Sequence, residues 1–274
     1  MRLRGPMDYE ILVLDLDGTL TNSKKEISPP TRQALIEIQQ AGRKVVLASG
    51  RPTQGVVPLA KELRLDEFGG YILSFNGARI INFTTGQLMY NKQLPLDAVA
   101  PTFEIVKDLG VDLITYENDN IISGIKPNEF VELESRINGM PIKRVENFSE
   151  YVNFPINKMI AAGDPRDVAV ALPKMKQHFH GYLNIYMSDP FFLEIMPQQI
   201  DKAYSLLRLL ESIGLTADQM ICCGDGYNDL SMIETAGLGV AMENAQPLVK
   251  ESADYITRSN DEDGVLHVIN TFMR

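Results

Sequence analysis

The 274-residue sequence has few of the residues that soft metals and redox chemistry need: two cysteines and three histidines. The cysteines, Cys222 and Cys223, are adjacent, so there is no disulfide framework and no thiolate spacing for zinc. His178 and His180 flank Phe179, and with His267 far along the chain they read as surface residues rather than a metal cluster. Positive charge is also scarce. Lys and Arg number 26 against 36 Asp and Glu, a formal net charge of −10, which argues against a basic footprint for nucleic acid. An anionic small molecule stays open, because a binding site is a local arrangement. No apolar run reaches the ~18 residues of a membrane span. The opening MRLRGPMDYE lacks the apolar stretch of a secretory leader. The expectation is a cytoplasmic protein, monomeric by default, with no nucleic-acid or membrane partner.

What is present alternates. Apolar runs at 10–15, 44–49 and 71–75 read as buried strands, separated by helical patterns. The first helix opens on Ser28-Pro29, an N-cap followed by proline, and stops at Gly42. The second covers most of 53–64, with Pro58 inside it. Strand, helix, strand, helix, strand is the signature of βαβ units and a parallel sheet. After Asn76-Gly77 the texture changes to hairpin signals at Thr84-Thr85-Gly86 and Asn118-Asp119-Asn120, amid many aromatic residues. Alternation returns near Asp201: a helix from Ala203 to Ile213 stopped by Gly214, the strand "QMICCG" at 219–224, a helix at 228–236, a strand at 238–241, a helix at 246–252, a strand at 254–256 and a last helix at 263–272. The expected fold is α/β: a discontinuous Rossmann-like parallel-sheet core, residues 1–82 and 191–274, with helices on both faces, plus an inserted α+β domain, residues 83–190.

In such open sheets ligands bind beyond the carboxyl ends of the strands. Three polar clusters fall there. Asp15-Leu16-Asp17-Gly18-Thr19 ends the first strand, Ser49-Gly50-Arg51 the second, and Gly224-Asp225-Gly226-Tyr227-Asn228-Asp229 the strand "MICC". Lys202 opens a helix. Asp15, Asp17, Asp225 and Asp229 gathered at one edge repel each other unless a cation compensates. A hard divalent ion with oxygen ligands, Mg²⁺, suits carboxylates and a phosphate. Glycine backbone N–H groups suit the anion. Each cluster alone has a plainer reading as turn, cap or solvated helix residue; together they ask for a phosphate.

These segments resemble the motifs of the haloacid dehalogenase superfamily of phosphohydrolases. Residues 11–21 are similar to its first motif, Ser49 to the second, Lys202 to the third and "GDGYNDLSM" (224–232) to the fourth. "SFNGA" (74–78), "GVAMENA" (239–245) and the large insert resemble the Cof-type sugar phosphatase subfamily. The resemblance spans essentially the whole chain. It implies Asp15 as nucleophile giving an aspartyl-phosphate, and Asp17 as general acid and then base. It implies Leu16, Ser49, Gly50, Lys202 and Asn228 around the phosphate, and Lys202 screening Asp15 from Asp225. Mg²⁺ would be held by Asp15, Asp17 and Asp225, with Asp229 acting through a bound water or an outer contact. The insert would be a cap contacting the leaving group, and Asn76, at the turn toward it, a candidate substrate contact. The implied activity is Mg²⁺-dependent hydrolysis of small phosphorylated metabolites, sugar phosphates foremost. A phosphomutase or a non-catalytic sugar-phosphate sensor are the alternatives. Cys222 and Cys223 read as buried core, the aromatics Tyr116, Tyr151, Phe154, Tyr186, Phe191 and Phe192 as packing, and Asp261-Glu262-Asp263 as the solvated start of the last helix.

Overall fold

The computed structural model describes residues 9–274. Residues 1–8, which carry most of the stretch read as lacking a leader's apolar core, lie outside them. Among the described residues fourteen strands run in chain order: β1 (Ile11–Leu14), β2 (Lys44–Ala48), β3 (Tyr71–Ser74), β4 (Arg79–Asn82), β5 (Leu88–Asn91), β6 (Asp112–Glu117), β7 (Asn120–Ser123), β8 (Ile142–Arg144), β9 (Met159–Ala162), β10 (Leu183–Asp189), β11 (Phe192–Pro197), β12 (Met220–Gly224), β13 (Leu238–Ala241) and β14 (Tyr255–Ile256). They form two sheets, ordered β14-β13-β12-β1-β2-β3-β4-β5 and β10-β11-β9-β6-β7-β8.

The first sheet is parallel from β14 to β3, with β4 antiparallel at its far side. β1 lies centrally between β12 and β2, with Leu14 level with Cys223 and Leu47. Its four residues are fully buried, because the pleat sends alternate side chains into two cores. Leu12 and Leu14 join Leu35, Val56 and Val268 on one face, while Ile11 and Val13 join Leu206, Leu209 and Met232 on the other. Cys222 and Cys223 divide between these same two cores. The helices that cover the sheet are stopped as the sequence requires. Ser28 caps Pro29–Gln40 by accepting from the Thr31 N–H, and Asp201 caps Lys202–Ile213 by accepting from the Tyr204 N–H. Gly214 closes the latter with φ 73°.

The compact units are 1–90 with 201–274, and 91–200. These limits differ from 82/83 and 190/191. Leu88–Asn91 extends the first sheet, and Phe192–Pro197 pairs antiparallel with both β9 and β10 in the second. That second strand is buried at every residue, so its sequence texture matches the core strands while its hydrogen bonds lie elsewhere. The second unit packs its own core, including Leu113, Phe148, Met159, Met175 and Leu193. The hairpin at 118–120 is present, with Asn118 in the left-handed region at φ 50°. Among the described residues no helix is long and apolar enough to cross a membrane.

Before the last helix Asp261 and Glu262 are exposed, as a solvated acidic start requires, and Asp263 is half-buried. Asp261 accepts from both the N–H and hydroxyl of Ser23, at 2.7 and 2.6 Å. Asp263, at φ 56°, accepts from the hydroxyls of Ser28 and Thr31. Two of the three acids therefore tie the segment after β1 to the last helix, Gly264–Phe272, because hydroxyl donors distant in sequence meet them in space.

Candidate active site

The carboxyl ends of β1, β2 and β12 deliver the three polar clusters side by side, a direct consequence of the parallel register of neighbouring strands. Asp15 follows β1 and is 7 % exposed. Its backbone N–H donates to the Cys223 carbonyl, which continues the β1–β12 ladder one residue beyond the strand. Lys202 is 0 % exposed, an ammonium taken wholly out of water. It donates to Asp15 Oδ1 at 2.7 Å, Asp229 Oδ1 at 2.6 Å and the Ala48 carbonyl at 2.8 Å. An ammonium has three donors, and these acceptors use all three. Burial alone works against its charge, but Asp15 and Asp229 outweigh it and hold the lysine above its ordinary range. Lys202 thus clamps the two acids, and a phosphate contact from it requires exchanging one of these three bonds.

Asp229 is buried, and its second oxygen accepts from the N–H groups of Asp225 and Gly226, each at 3.0 Å. It holds the loop after β12 in shape. Asp225 accepts from the Thr19 hydroxyl at 3.0 Å. Burial and the Asp229 charge push its carboxyl up to about 6. Burial likewise drives Asp15 well above the usual carboxylate range, Asp229 adds to this, and Lys202 pulls it back.

Oxygens of Asp15, Asp225 and Asp229 lie within 4.8 Å of one another. Three carboxylates against one ammonium leave two negative charges if all are ionised, in a largely dehydrated place. Hard oxygen donors with that residual charge fit a divalent cation such as Mg²⁺.

The Asp17 carboxylate lies outside this group. It takes a bidentate pair from Arg51, Nε to Oδ2 at 2.9 Å and Nη2 to Oδ1 at 2.6 Å, and a further bond from Lys25 Nζ at 2.8 Å. Burial would raise it, but Arg51 and then Lys25 outweigh that and lower its pKa. A proton donor role requires Asp17 to leave this pair, since here the carboxylate is held ionised.

Ser49 is buried at the end of β2, its hydroxyl accepting from the Arg51 N–H at 3.1 Å. Gly50 and Leu16 complete the loop backbones, Leu16 with its side chain in the core and its carbonyl accepting from Thr21. Asn228 donates to Asn76 Oδ1 at 3.1 Å. Asp15, Ser49, Lys202, Asp225 and Asp229 therefore come together, with Asn76 and Asn228 joined beside Gly50. Residues not assigned from the sequence also serve the site. Thr19 holds Asp225, Lys25 reaches Asp17, and Asn244 donates to the Gly18 carbonyl at 2.8 Å. Thr19 stood inside the "DLDGT" run and was findable there; Lys25, in the polar stretch "NSKKE", carries no local signal.

A family profile of haloacid dehalogenase-like hydrolases matches residues 12–269. A solved haloacid dehalogenase-like hydrolase from Bacteroides thetaiotaomicron is 48 % identical, covers 96 % of this chain and 98 % of its own, and superposes with a TM-score of 0.93. The sugar phosphatase BT4131, described as belonging to subclass IIB of that superfamily, is 26 % identical over 96 % of this chain and 99 % of its own, with a TM-score of 0.81. The Bacillus subtilis protein YcsE, a 5-amino-6-(5-phospho-D-ribitylamino)uracil phosphatase, is 31 % identical over 97 % of this chain and 96 % of its own length.

Proposed function

The chain belongs to the haloacid dehalogenase-like hydrolases and is a phosphatase of that family, and from that premise we propose that it hydrolyses small phosphorylated metabolites, sugar phosphates foremost, through an aspartyl-phosphate on Asp15. The observation that carries this is the buried Lys202 ammonium bonded to Asp15 and Asp229, with Asp225 within 4.8 Å. A lone salt bridge would not keep three carboxylates at the open end of a sheet; a phosphoryl group and a cation give them a task.

Asp15 attacks phosphorus with a carboxylate oxygen while the bond to the leaving alkoxide breaks. Asp17, released from Arg51 and Lys25 and protonated from solvent, gives that alkoxide its proton. Asp17 then takes a proton from water as the water attacks phosphorus, which frees inorganic phosphate and restores Asp15. Ser49, the Gly50 and Leu16 backbone and Asn228 orient the phosphoryl oxygens. Lys202 fixes Asp15 for attack through its anchor on Asp229. Asp15, Asp225 and the backbone at Asp17 would hold Mg²⁺, with Asp229 acting through its hold on the Asp225 loop. Bound there, the ion supplies positive charge against the phosphoryl oxygens, the main requirement of the reaction. BT4131 is described as a sugar phosphatase and YcsE as a 5-amino-6-(5-phospho-D-ribitylamino)uracil phosphatase, which supports small phosphorylated metabolites as the substrate class for this chain.

Phosphate release from a panel of phosphorylated metabolites, with Mg²⁺ or with EDTA, tests this. Metal-dependent release by the wild type, absent in Asp15→Asn, is expected. Isomerised sugar phosphate in excess of free phosphate would instead make the enzyme a mutase.

A further inference from the structure

The segment Phe75-Asn76-Gly77 runs through three consecutive positive φ angles, 53°, 53° and 100°. Left-handed backbone is unusual for a phenylalanine and is strained there. The surroundings force it. The Phe75 N–H donates to the Arg51 carbonyl and the Asn76 N–H to the Ser49 carbonyl, both at 3.0 Å. The segment is thereby stitched to the loop carrying Ser49 and Gly50. On another side Gly77 is pressed against the start of the Lys202 helix, where an added Cβ would stand 2.6 Å from the Asp201 carbonyl oxygen and 2.7 Å from Ser205 Oγ. The Asn76 side chain fills the place over Gly50, its Oδ1 3.1 Å from where a Cβ there would be. That same Oδ1 accepts from Asn228 Nδ2 at 3.1 Å. One strained segment therefore touches three of the segments that bring groups assigned to the phosphate: the Ser49–Gly50 loop, the turn with Asn228 and the start of the Lys202 helix.

We propose that Asn76 is a positioning residue that fixes the Asn228 amide against the Gly50 loop, so that Asn228 and the Gly50 N–H meet the phosphate as one preformed cradle. This rests on the phosphatase reading above and replaces the expectation that Asn76 touches substrate itself. Asn228 sits in a single turn of tight helix, Tyr227–Asp229, capped by Gly226, and directly follows the 59 % exposed Tyr227. Without Asn76 its side chain has rotamer freedom to lose when phosphate binds, and affinity falls accordingly.

The test is a double-mutant cycle with Asn76→Gly and Asn228→Ala, read by steady-state hydrolysis of the best panel substrate and by inhibition with inorganic phosphate. Glycine adopts the left-handed angle at Asn76 without cost, so folding is preserved and the melting temperature checks it. Asn228→Ala is expected to raise KM and the phosphate inhibition constant about tenfold with kcat little changed. Asn76→Gly is expected to raise both several-fold, and the double variant to be no worse than Asn228→Ala. Losses that multiply in the double variant would overturn the role, since Asn76 would then act independently of Asn228. A lowered melting temperature with wild-type KM and phosphate inhibition would reduce Asn76 to a structural residue and equally overturn it. A wild type with neither turnover nor phosphate inhibition in Mg²⁺ sinks the phosphatase reading itself, a failure distinct from either of these.

Discussion

Each unit of the molecule buries one lysine among acids, and the two clusters differ in what they leave open. In the first, Lys202 bridges Asp15 and Asp229 at the ends of parallel strands, and three carboxylates share one ammonium. In the second, Lys158, 3 % exposed and just before β9, pairs with Glu194 of β11 at 3.0 Å, over the Tyr116 ring at 5.8 Å. Nearby Glu134 accepts from the Tyr116 hydroxyl at 2.6 Å and from the Asn138 amide at 2.8 Å. The second cluster sets one ammonium and the neutral donors of Tyr116, Asn138 and Ser188 against two carboxylates; the first sets one ammonium against three, which leaves two negative charges if all are ionised. Burial of a charge is therefore not what marks a reactive site. The marker is an imbalance held in place at strand ends, where backbone ladders stop and loops approach a ligand.

The largest break in the comparison is Asp15→Asn. Phosphate release should fall by about a thousandfold or more, while urea denaturation shows stability unchanged or increased. The isosteric amide removes one of the competing charges and leaves Lys202 paired with Asp229. An aspartate serving only structure would give the opposite pattern.

Removing each lysine sharpens the contrast. Lys202→Met strips two buried acids of their cation and should cost about 3–5 kcal/mol in EDTA, with activity lost. Lys158→Met should cost less, about 3 kcal/mol, because it strips only one directly paired acid, Glu194, which keeps the Ser188 hydroxyl as a donor at 3.1 Å, and turnover per folded molecule should persist. Equal destabilisation in urea titrations would erase the distinction.

Acidity separates the clusters more gently. Asp225 titrates at about 6, so a proton competes with Mg²⁺ below that pH. Mg²⁺ affinity, followed by calorimetry, should weaken as pH falls from 7 to 5, by up to about tenfold per unit once Asp225 is protonated. In the second unit, burial raises Glu134 above its ordinary value. The folded state then binds that proton more tightly than the unfolded one. The contribution to stability is greatest at low pH and is lost as pH rises through the folded pKa. Glu134→Gln keeps the acceptor for Tyr116 and should flatten this dependence, the smallest of the effects, measured as urea midpoints at pH 5 and pH 8.

The sequence made the first cluster readable because each member stands at a break in apolar periodicity: "LDLDG" after β1, "ASG" after β2, "GDG" after β12. Parallel pairing then aligns those breaks without further information. Lys202 at the start of a helix read by itself as a solvated residue, and only its match to the third motif of the family it resembles marked it. The second cluster was not. Tyr116, Lys158 and Glu194 lie in or beside ordinary strands, and Glu134 lies within the helix Glu129–Asn138. Only the antiparallel order β11-β9-β6 brings them together. The same holds for β11, whose apolar run is indistinguishable from a core strand until its partners are known. Local composition was equally silent about the Arg51 and Lys25 grip on Asp17, and about Asp261 and Asp263 meeting hydroxyls more than 230 residues away in the chain.

The central claim is covalent catalysis by Asp15. Rapid acid quench of the wild type turning over a phosphorus-radiolabelled monoester, followed by peptide mapping, tests it most directly. Protein-bound label on the peptide containing Asp15, absent in Asp15→Asn, is the predicted result. Full turnover with no label on the protein, or label retained in Asp15→Asn, would contradict it.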